Sequence, residues 1–236
     1  EQITDPTLPS HFEMVTEIRR VLQSWCPALF LGFNSLSFDE EFLRHAFYQC
    51  LHDAYLTNTQ RNARADVLSL CRMTADLRPD VLRPATNERG QSVFKLEPLA
   101  EANGLMVASA HDAMADVLTM HALCLIIRTR APEIWSQFMR FSQKASVEAF
   151  ITSEEAFVLS ETVGNVHRTR IVTRIGQHNV QKARHYCFDL RADIEQLRTL
   201  SADELSALCR SPQRPIVTIR TNAAPTLWAL YDALPE

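Results

Sequence analysis

The feature that most constrains the fold is a change of periodicity near Thr152. Before it, apolar residues recur at helical spacing, as in the segments from about Ser10 to Trp25 and from Asp112 to about Arg130. After it, short β-rich runs predict strands at 156–159, 169–174, 183–188 and 215–219. Helix-rich sequence followed by strand-rich sequence predicts two domains, residues 1–150 and residues 151–236.

The first domain is expected to be α/β. An apolar run at 28–33 predicts a buried strand, because it is short and bounded by residues that break regular structure. A capping-box pattern, Ser37-x-x-Glu40, opens the helix that follows. Residues 53–65 are polar and predict a loop, and Asp66 can cap the next helix.

Composition excludes several classes of protein. With 46% hydrophobic and 22% charged residues, the chain is too apolar for a disordered protein. Its longest apolar run, residues 122–127, is far too short to span a membrane, so no membrane partner is expected. The six cysteines form no CxxC pair and are scattered, which favours a reducing cytoplasm. A net charge of −4 does not indicate a nucleic-acid binder, but charge can be distributed unevenly over a surface.

One candidate motif is the pair His111-x4-Asp116 at the start of a long helix. Five residues correspond to about 500° of helical turn, so two helical side chains at this spacing would point about 140° apart. They can face one site only if His111 lies in the loop before the helix and Asp116 lies one turn inside the helix. That arrangement suits a mobile base beside a rigid metal ligand. Taken alone, such a pair is more often an exposed histidine and a solvated acid.

A second candidate motif is Asn34-x3-Phe38-Asp39, where a strand leads through a tight loop into a helix. The N-terminus of a helix favours negative charge, so an acid in its first turn is ready to hold a cation. Acids at a helix start are also common without any function, and this alternative stays open for the motif by itself.

A basic stretch lies in the strand-rich region. Between Thr162 and Phe188 there are five Lys or Arg residues and no Asp or Glu. Alternation along a strand would place neighbouring arginines on one face, toward a phosphate backbone. An ordinary solvated sheet face is an equally good interpretation. The candidate DNA-contact residues of this stretch are Arg168, Arg170, Arg174, Lys182 and Arg184.

In this order, the two acidic motifs resemble the second and third exonuclease motifs of the DEDD superfamily, the third in its histidine-bearing form. The stretch 94–104, with Phe94-Lys95-Leu96-Glu97 at its start, and the pattern Arg64-x-Asp66 narrow the resemblance to the exodeoxyribonuclease I family. The resemblance covers essentially the whole chain. It implies a ribonuclease-H-like exonuclease domain followed by a small Src-homology-3-like barrel.

The resemblance also implies a reaction: 3′→5′ degradation of single-stranded DNA to nucleoside 5′-monophosphates, in DNA repair and recombination. In such enzymes four acids hold two Mg²⁺ ions about 4 Å apart. Asp39 and Asp116 would be two of these acids, and His111 would take the proton from the attacking water. Asn34 and Phe38 would contact DNA. A monomer and a partnership with single-strand DNA-binding protein are expected.

The family's first motif, D-x-E, belongs on a strand before the helix at Ser10, and the sequence has none there. The D-x-E at Asp39 is already the second motif, and the one at Asp193 lies late, where a solvated helix or turn acid is expected. The chain is therefore expected to lack the first motif and the family's C-terminal helical domain, and to be inactive alone. The alternative is a catalytically inactive form that acts as a DNA-binding or protein-interaction module.

Overall fold

A computed structural model describes residues 8–106, 112–163 and 166–233. These residues form two compact units, divided between Asp66 and Val67. Helices and strands are mixed along the chain, which confirms the predicted α/β class. No helix in the described part of the chain is both long and apolar enough to cross a membrane.

The first unit contains two helices and a pair of parallel strands. Ser10 caps the first helix, and the side chain of Glu13 completes the capping box by accepting the Ser10 N–H. The strands pair in parallel, so that Gly32 lies opposite Asp66. The elements are α1 (His11–Ser24), β1 (Leu29–Gly32), α2 (Asp39–Gln49) and β2 (Ala63–Asp66), with short 3-10 helices at Ser35–Ser37 and Leu56–Asn58.

The strand β2 was not predicted, because its segment is polar. The predicted loop at 53–65 is wrong at its end, where β2 begins at Ala63. Ala63 and Ala65 are buried, and Arg64 between them forms an ion pair with Glu40. The charge of Arg64, which makes the segment look unlike a buried strand, is thus paired with a residue distant in sequence.

The core of the first unit lies between α1 and α2. Val15 and Phe47 are each at most 2% exposed and pack with Cys50 and Leu56. Burying a side chain of this size contributes about 1.5–3 kcal/mol. The packing of α1 against α2 through these residues therefore contributes to the stability of the unit.

Some helices of the second unit begin with a side chain that caps the first turn. Asp112 accepts the N–H groups of Met114 and Ala115, as the sequence predicts for this helix start. Asp193 caps a later helix in the same way, which accounts for the D-x-E at that position. The helices are α3 (Val67–Leu77), α4 (Leu96–Ala102), α5 (Ala113–Arg130), α6 (Pro132–Phe141), α7 (Lys144–Ser153), α8 (Ile194–Thr199), α9 (Ala202–Arg210) and α10 (Leu230–Ala233).

The strands of the second unit form a small hairpin and a five-stranded sheet. The larger sheet has the order β8-β7-β6-β5-β9, with every neighbouring pair antiparallel. Its first four strands in sequence were predicted, whereas β9 and the hairpin were not. The hairpin is β3 (Ala85–Thr86) and β4 (Ser92–Val93); the sheet is β5 (Phe157–Val163), β6 (Val166–Gln177), β7 (Arg184–Asp189), β8 (Ile216–Arg220) and β9 (Thr226–Ala229).

One face of this sheet, here called the inner face, packs against α6 and α7. Phe150 contacts Phe157 from the sheet with ring centroids 5.4 Å apart, and Phe141 contacts Phe150 at 4.7 Å. The inner face is lined by Phe157, Leu159, Val172, Cys187, Val217, Ile219, Leu227 and Ala229, all buried.

Candidate functional site

The loop between β1 and α2 is a tight turn set by its residue types. A Cβ atom at Gly32 would lie 2.5 Å from the Cβ of Ser35, so no side chain fits there. Asn34 has φ 61° and ψ 20°, in the left-handed region, which asparagine tolerates better than most residues. The chain can therefore leave the strand and enter α2 within a few residues.

Asp66 holds this loop in place from the end of β2. One of its carboxylate oxygens accepts the Asn34 N–H at 2.8 Å, and the other accepts the Leu36 N–H at 3.3 Å. Asp66 is 7% exposed, so these bonds form away from bulk water. The sequence alone favours a helix cap over a site role for Asp66. The pairing of Gly32 with Asp66 in the strand register reveals the second role.

Glu40 anchors the first turn of α2. Its Oε2 atom accepts a hydrogen bond from the Thr57 hydroxyl at 2.7 Å and from Arg64 Nη1 at 3.1 Å. The predicted capping box of Ser37 with Glu40 is wrong, because Phe38 occupies the cap position and Glu40 is buried with these partners.

Asp39, beside this anchor, is exposed to solvent. Its carboxylate makes no hydrogen bond or ion pair with any residue that the structure describes. The rings of Phe38 and Phe42 are 57% and 66% exposed, and their centroids lie 4.8 Å apart. A solvent-facing acid thus stands next to an exposed aromatic pair at the start of α2.

Asp116 lies in the first turn of α5 and is partly exposed. It belongs to the second unit, whereas Asp39 belongs to the first. His111, the predicted base, lies outside the described residues, and its role stays a prediction. Across residues 8–106, 112–163 and 166–233, no three His, Cys, Asp or Glu side chains are grouped closely enough to hold a metal ion.

Part of the basic stretch is buried, contrary to the prediction. Arg170 shares a strand face with Val172, and that face is the buried inner face of the sheet. Its guanidinium donates to Glu161 at 3.0 Å and to Asp189 at 2.6 Å. A third bond runs to the Pro212 carbonyl at 2.8 Å.

Arg170 is 5% exposed, so the expectation that it contacts a phosphate backbone is wrong. Arg214 also donates to Glu161, at 2.9 Å. Two arginines and two acids thus form a neutral network, here called the Arg170 network (Glu161, Arg170, Asp189 and Arg214). A buried charge is tolerated only when it is paired in this way.

The side chain of Arg174 also has a hydrogen-bond partner within the protein. Its Nε atom donates to Nδ1 of the buried His185 at 3.0 Å, and the His185 Nε2 atom lies 3.1 Å from a carboxylate oxygen of Glu148. Arg168 is partly exposed, with a buried Nε atom that lacks a partner among the described residues. Of the five predicted contacts, Arg168, Lys182 and Arg184 have side chains that make no bond to any described residue.

Arg220 is a basic residue that sequence reasoning missed. It lies outside the stretch 162–188, and only the strand register places it directly opposite Arg184. Arg220 is exposed, and Arg184 is partly exposed. The strands β7 and β8 therefore carry available positive charge in addition to that of Arg168 on β6.

A polar contact joins α3 to β6. The Asp76 carboxylate lies 2.9 Å from Nε2 of His167 and also accepts a hydrogen bond from the Thr169 hydroxyl. Burial by itself would raise the pKa of Asp76, but the bonds from His167 and Thr169 and the charge of His167 outweigh burial and lower it. Ionised Asp76 therefore helps to hold the helix against the sheet.

In sequence and in fold, the chain is similar to DNA exonucleases. The relatives are exodeoxyribonuclease I enzymes: the one from Escherichia coli K12 is 29% identical over 219 residues, covering 87% of this chain and 46% of the relative. The structure of E. coli exonuclease I in complex with a dA16 oligonucleotide matches with a TM-score of 0.82 and 26% identity, covering 95% of this chain and 51% of that chain.

A structure of the complex between this exonuclease and the C-terminus of SSB matches equally well, with a TM-score of 0.82, 25% identity and the same coverage. No protein-family model matches the chain. The chain spans about half the length of the curated relatives it matches. The predicted resemblance to exodeoxyribonuclease I is confirmed.

Proposed function

We propose that the protein is a 3′→5′ exonuclease that degrades single-stranded DNA to nucleoside 5′-monophosphates, in DNA repair or recombination. The observation that carries this proposal is the similarity to exodeoxyribonuclease I over 87% of the chain, together with the match to a relative bound to a DNA oligonucleotide. The exposed Asp39, in the first turn of the helix that follows the loop held by Asp66, supports it locally.

The domain assignment belongs to the same proposal. Residues 1–150 would form a ribonuclease-H-like exonuclease domain, and residues 151–236 a small DNA-binding domain of the Src-homology-3-like barrel type. Five short antiparallel strands between Phe157 and Ala229 support the second part. Because the cysteines are scattered, the cytoplasm is the proposed compartment.

For catalysis, Asp39 and Asp116 would be metal ligands and His111 the general base. Carboxylate oxygens suit a hard cation such as Mg²⁺, and both carboxylates make no bond to the described residues. Two acids do not complete a two-metal site, however, and the described residues contain no larger group of ligands. The residues therefore fit the metal in chemical type but not in number.

For DNA contact, we propose Asn34 and Phe38 near the acidic loop. On the sheet we propose Lys182 and Arg184, with smaller contributions from Arg168 and Arg174. The exposed ring of Phe38 is suited to stacking on a base. Arg170 is excluded because its charge is buried and paired.

Single-stranded DNA is the proposed partner, and single-strand DNA-binding protein is a second one, supported by the relative solved with the SSB C-terminus. A monomer is expected. A catalytically inactive form that acts as a DNA-binding or protein-interaction module is the alternative, and the comparisons do not favour it.

The test is hydrolysis of 5′-labelled single-stranded DNA by the complete natural gene product, with Mg²⁺. We expect stepwise shortening from the 3′ end. Asp39→Asn and Asp116→Asn should each lower the rate by several orders of magnitude, because an amide cannot replace an anionic ligand. His111→Ala should slow turnover by about 10²–10⁴-fold while DNA affinity stays unchanged.

Glu101→Gln is the matched control, because it also removes one carboxylate from an exposed helical position. The proposal fails if the acid variants keep normal turnover, or if Glu101→Gln loses activity as they do. Intact DNA binding without hydrolysis in the natural protein would instead support the inactive binding module.

A further inference from the structure

Two arginines face each other across the strands β7 and β8. Arg184 and Arg220 are direct partners in the antiparallel register. Residues in this relation have Cβ atoms about 4.5–5.5 Å apart, and like charges at such positions are destabilising. Neither guanidinium makes a hydrogen bond or ion pair with a residue that the structure describes. An arrangement that is unfavourable by itself becomes favourable when an anion lies between the two charges.

The two arginines line an open pocket of about 430 Å³. Pockets of this size hold small ligands. The pocket lies among β5, β7, β8, β9 and the turn between the last two strands. Besides the arginines, hydroxyl groups that can donate hydrogen bonds to an anion line it, from Ser160, Thr218 and Thr226.

The charge of the pocket is positive despite one acid in its wall. Glu161 lines the pocket, but its two carboxylate oxygens accept hydrogen bonds from Arg170 at 3.0 Å and from Arg214 at 2.9 Å. Its negative charge is therefore already compensated. Arg184 and Arg220 remain as two uncompensated positive charges at the pocket.

We propose that this pocket binds the phosphate group of a nucleotide. Guanidinium and hydroxyl donors together match the several oxygens of a phosphate, and the pocket is larger than a phosphate alone, which leaves room for the attached sugar or base. The choice of a nucleotide rests on the proposed function, to which the site adds Arg220, Thr218 and Ser160. The phosphate comes either from a DNA strand or from a free nucleotide.

The experiment measures binding by the whole chain in EDTA, which prevents hydrolysis. One arm follows the fluorescence anisotropy of a labelled oligo(dT), and the other follows titration with dTMP and with inorganic phosphate by calorimetry. We expect the variant R184Q/R220Q to bind the strand at least about tenfold more weakly, with a salt slope lower by roughly 0.7 for each phosphate that is no longer neutralised. R210Q, an exposed arginine on α9, is the matched control and should change neither quantity.

A charge reversal separates a binding role from a structural one. R220E places opposite charges across the two strands, so the fold should become more stable to heat while phosphate binding is lost. Phosphate at constant ionic strength should raise the melting temperature of the unaltered chain and not that of R220E. An arginine pair that only supported the fold would give the opposite result for stability.

Weaker binding of oligo(dT) in R184Q/R220Q identifies a strand phosphate as the occupant. Weaker binding of dTMP with unchanged strand affinity identifies a free nucleotide. If neither changes, the inference is overturned, even when the unaltered protein binds and degrades DNA. If the unaltered protein does not bind DNA, the proposed function fails, and the dTMP arm still decides whether the pocket is a phosphate site.

Discussion

Replacing Arg170 with methionine tests whether this residue contributes to DNA binding or to the stability of the fold. Arg170 belongs to the basic stretch that was predicted to contact DNA. The side chain is 6% exposed and bonds to Glu161 and Asp189. Methionine fills a similar volume without charge, so the change leaves the buried carboxylate of Asp189 and the partly buried carboxylate of Glu161 without their shared partner.

The expected loss of unfolding free energy follows from the hydrogen-bond partners that Glu161 and Asp189 retain in the variant. Glu161 retains Arg214 at 2.9 Å, and Asp189 retains one backbone N–H, that of Arg191, at 3.0 Å. Breaking a buried ion pair costs about 3–5 kcal/mol, and the remaining partners favour the lower end, about 3 kcal/mol. At about 2–4 °C per kcal/mol for a protein of this size, the melting temperature should fall by about 6–12 °C.

The assay combines urea unfolding with the salt dependence of oligo(dT) binding. R170M should lose unfolding free energy and keep its salt slope. K182Q, at an exposed position on the turn after β6, should do the reverse and lower the slope by about 0.7. In the double variant R170M/D189N the loss of stability should shrink, because residue 189 no longer carries a charge and Glu161 keeps Arg214 as its partner.

The reasoning is refuted if R170M unfolds within about 1 kcal/mol of the unaltered protein, since a buried pair of this geometry cannot be removed at so small a cost. It is also refuted if R170M lowers the salt slope as K182Q does. Arg170 would then contact phosphate, and the network would be a secondary feature.

Three further changes test other parts of the structure. Asp66→Ala should cost about 1–3 kcal/mol in urea unfolding, because two partly buried N–H groups of the loop lose their acceptor. An unchanged unfolding curve would show that the loop keeps its conformation without Asp66. The lowered pKa of Asp76 means that its stabilising contribution is present above the unfolded value near 3.9 and is lost as pH falls through the folded value. Asp76→Asn should therefore lower stability at pH 7 and leave it nearly unchanged at pH 2, and equal losses at both would contradict the ionic role. Burial raises the pKa of the Cys187 thiol to about 12, so iodoacetamide at pH 8 should modify the partly exposed Cys209 well before Cys187, as peptide mass spectrometry can check.

Helices with local signals were predictable from the sequence. The predicted starts at Ser10 and Asp112 are confirmed, because each cap bonds to N–H groups within three residues of itself. The candidate acid Asp39 was also visible, since its place in the first turn of a helix depends only on the residues around it.

Features that depend on distant partners were not predictable. β2 contains Arg64, whose charge makes the segment look like a loop in the sequence. In the structure Glu40 compensates that charge, so the segment can form a strand. The same holds for Arg170, where alternation gives the shared face correctly but does not tell which face is buried. Arg220 becomes a neighbour of Arg184 only through the strand register.

The bond between Asp66 and the loop at Asn34 has a consequence for the order of folding. The two residues are 32 positions apart along the chain. Parallel strands must close that whole segment before the carboxylate can reach the loop, and closure of long segments is slow compared with helix formation. The helices α1 and α2 need only near neighbours in sequence. The loop that leads to Asp39 is therefore expected to become ordered late, after the helices that flank it.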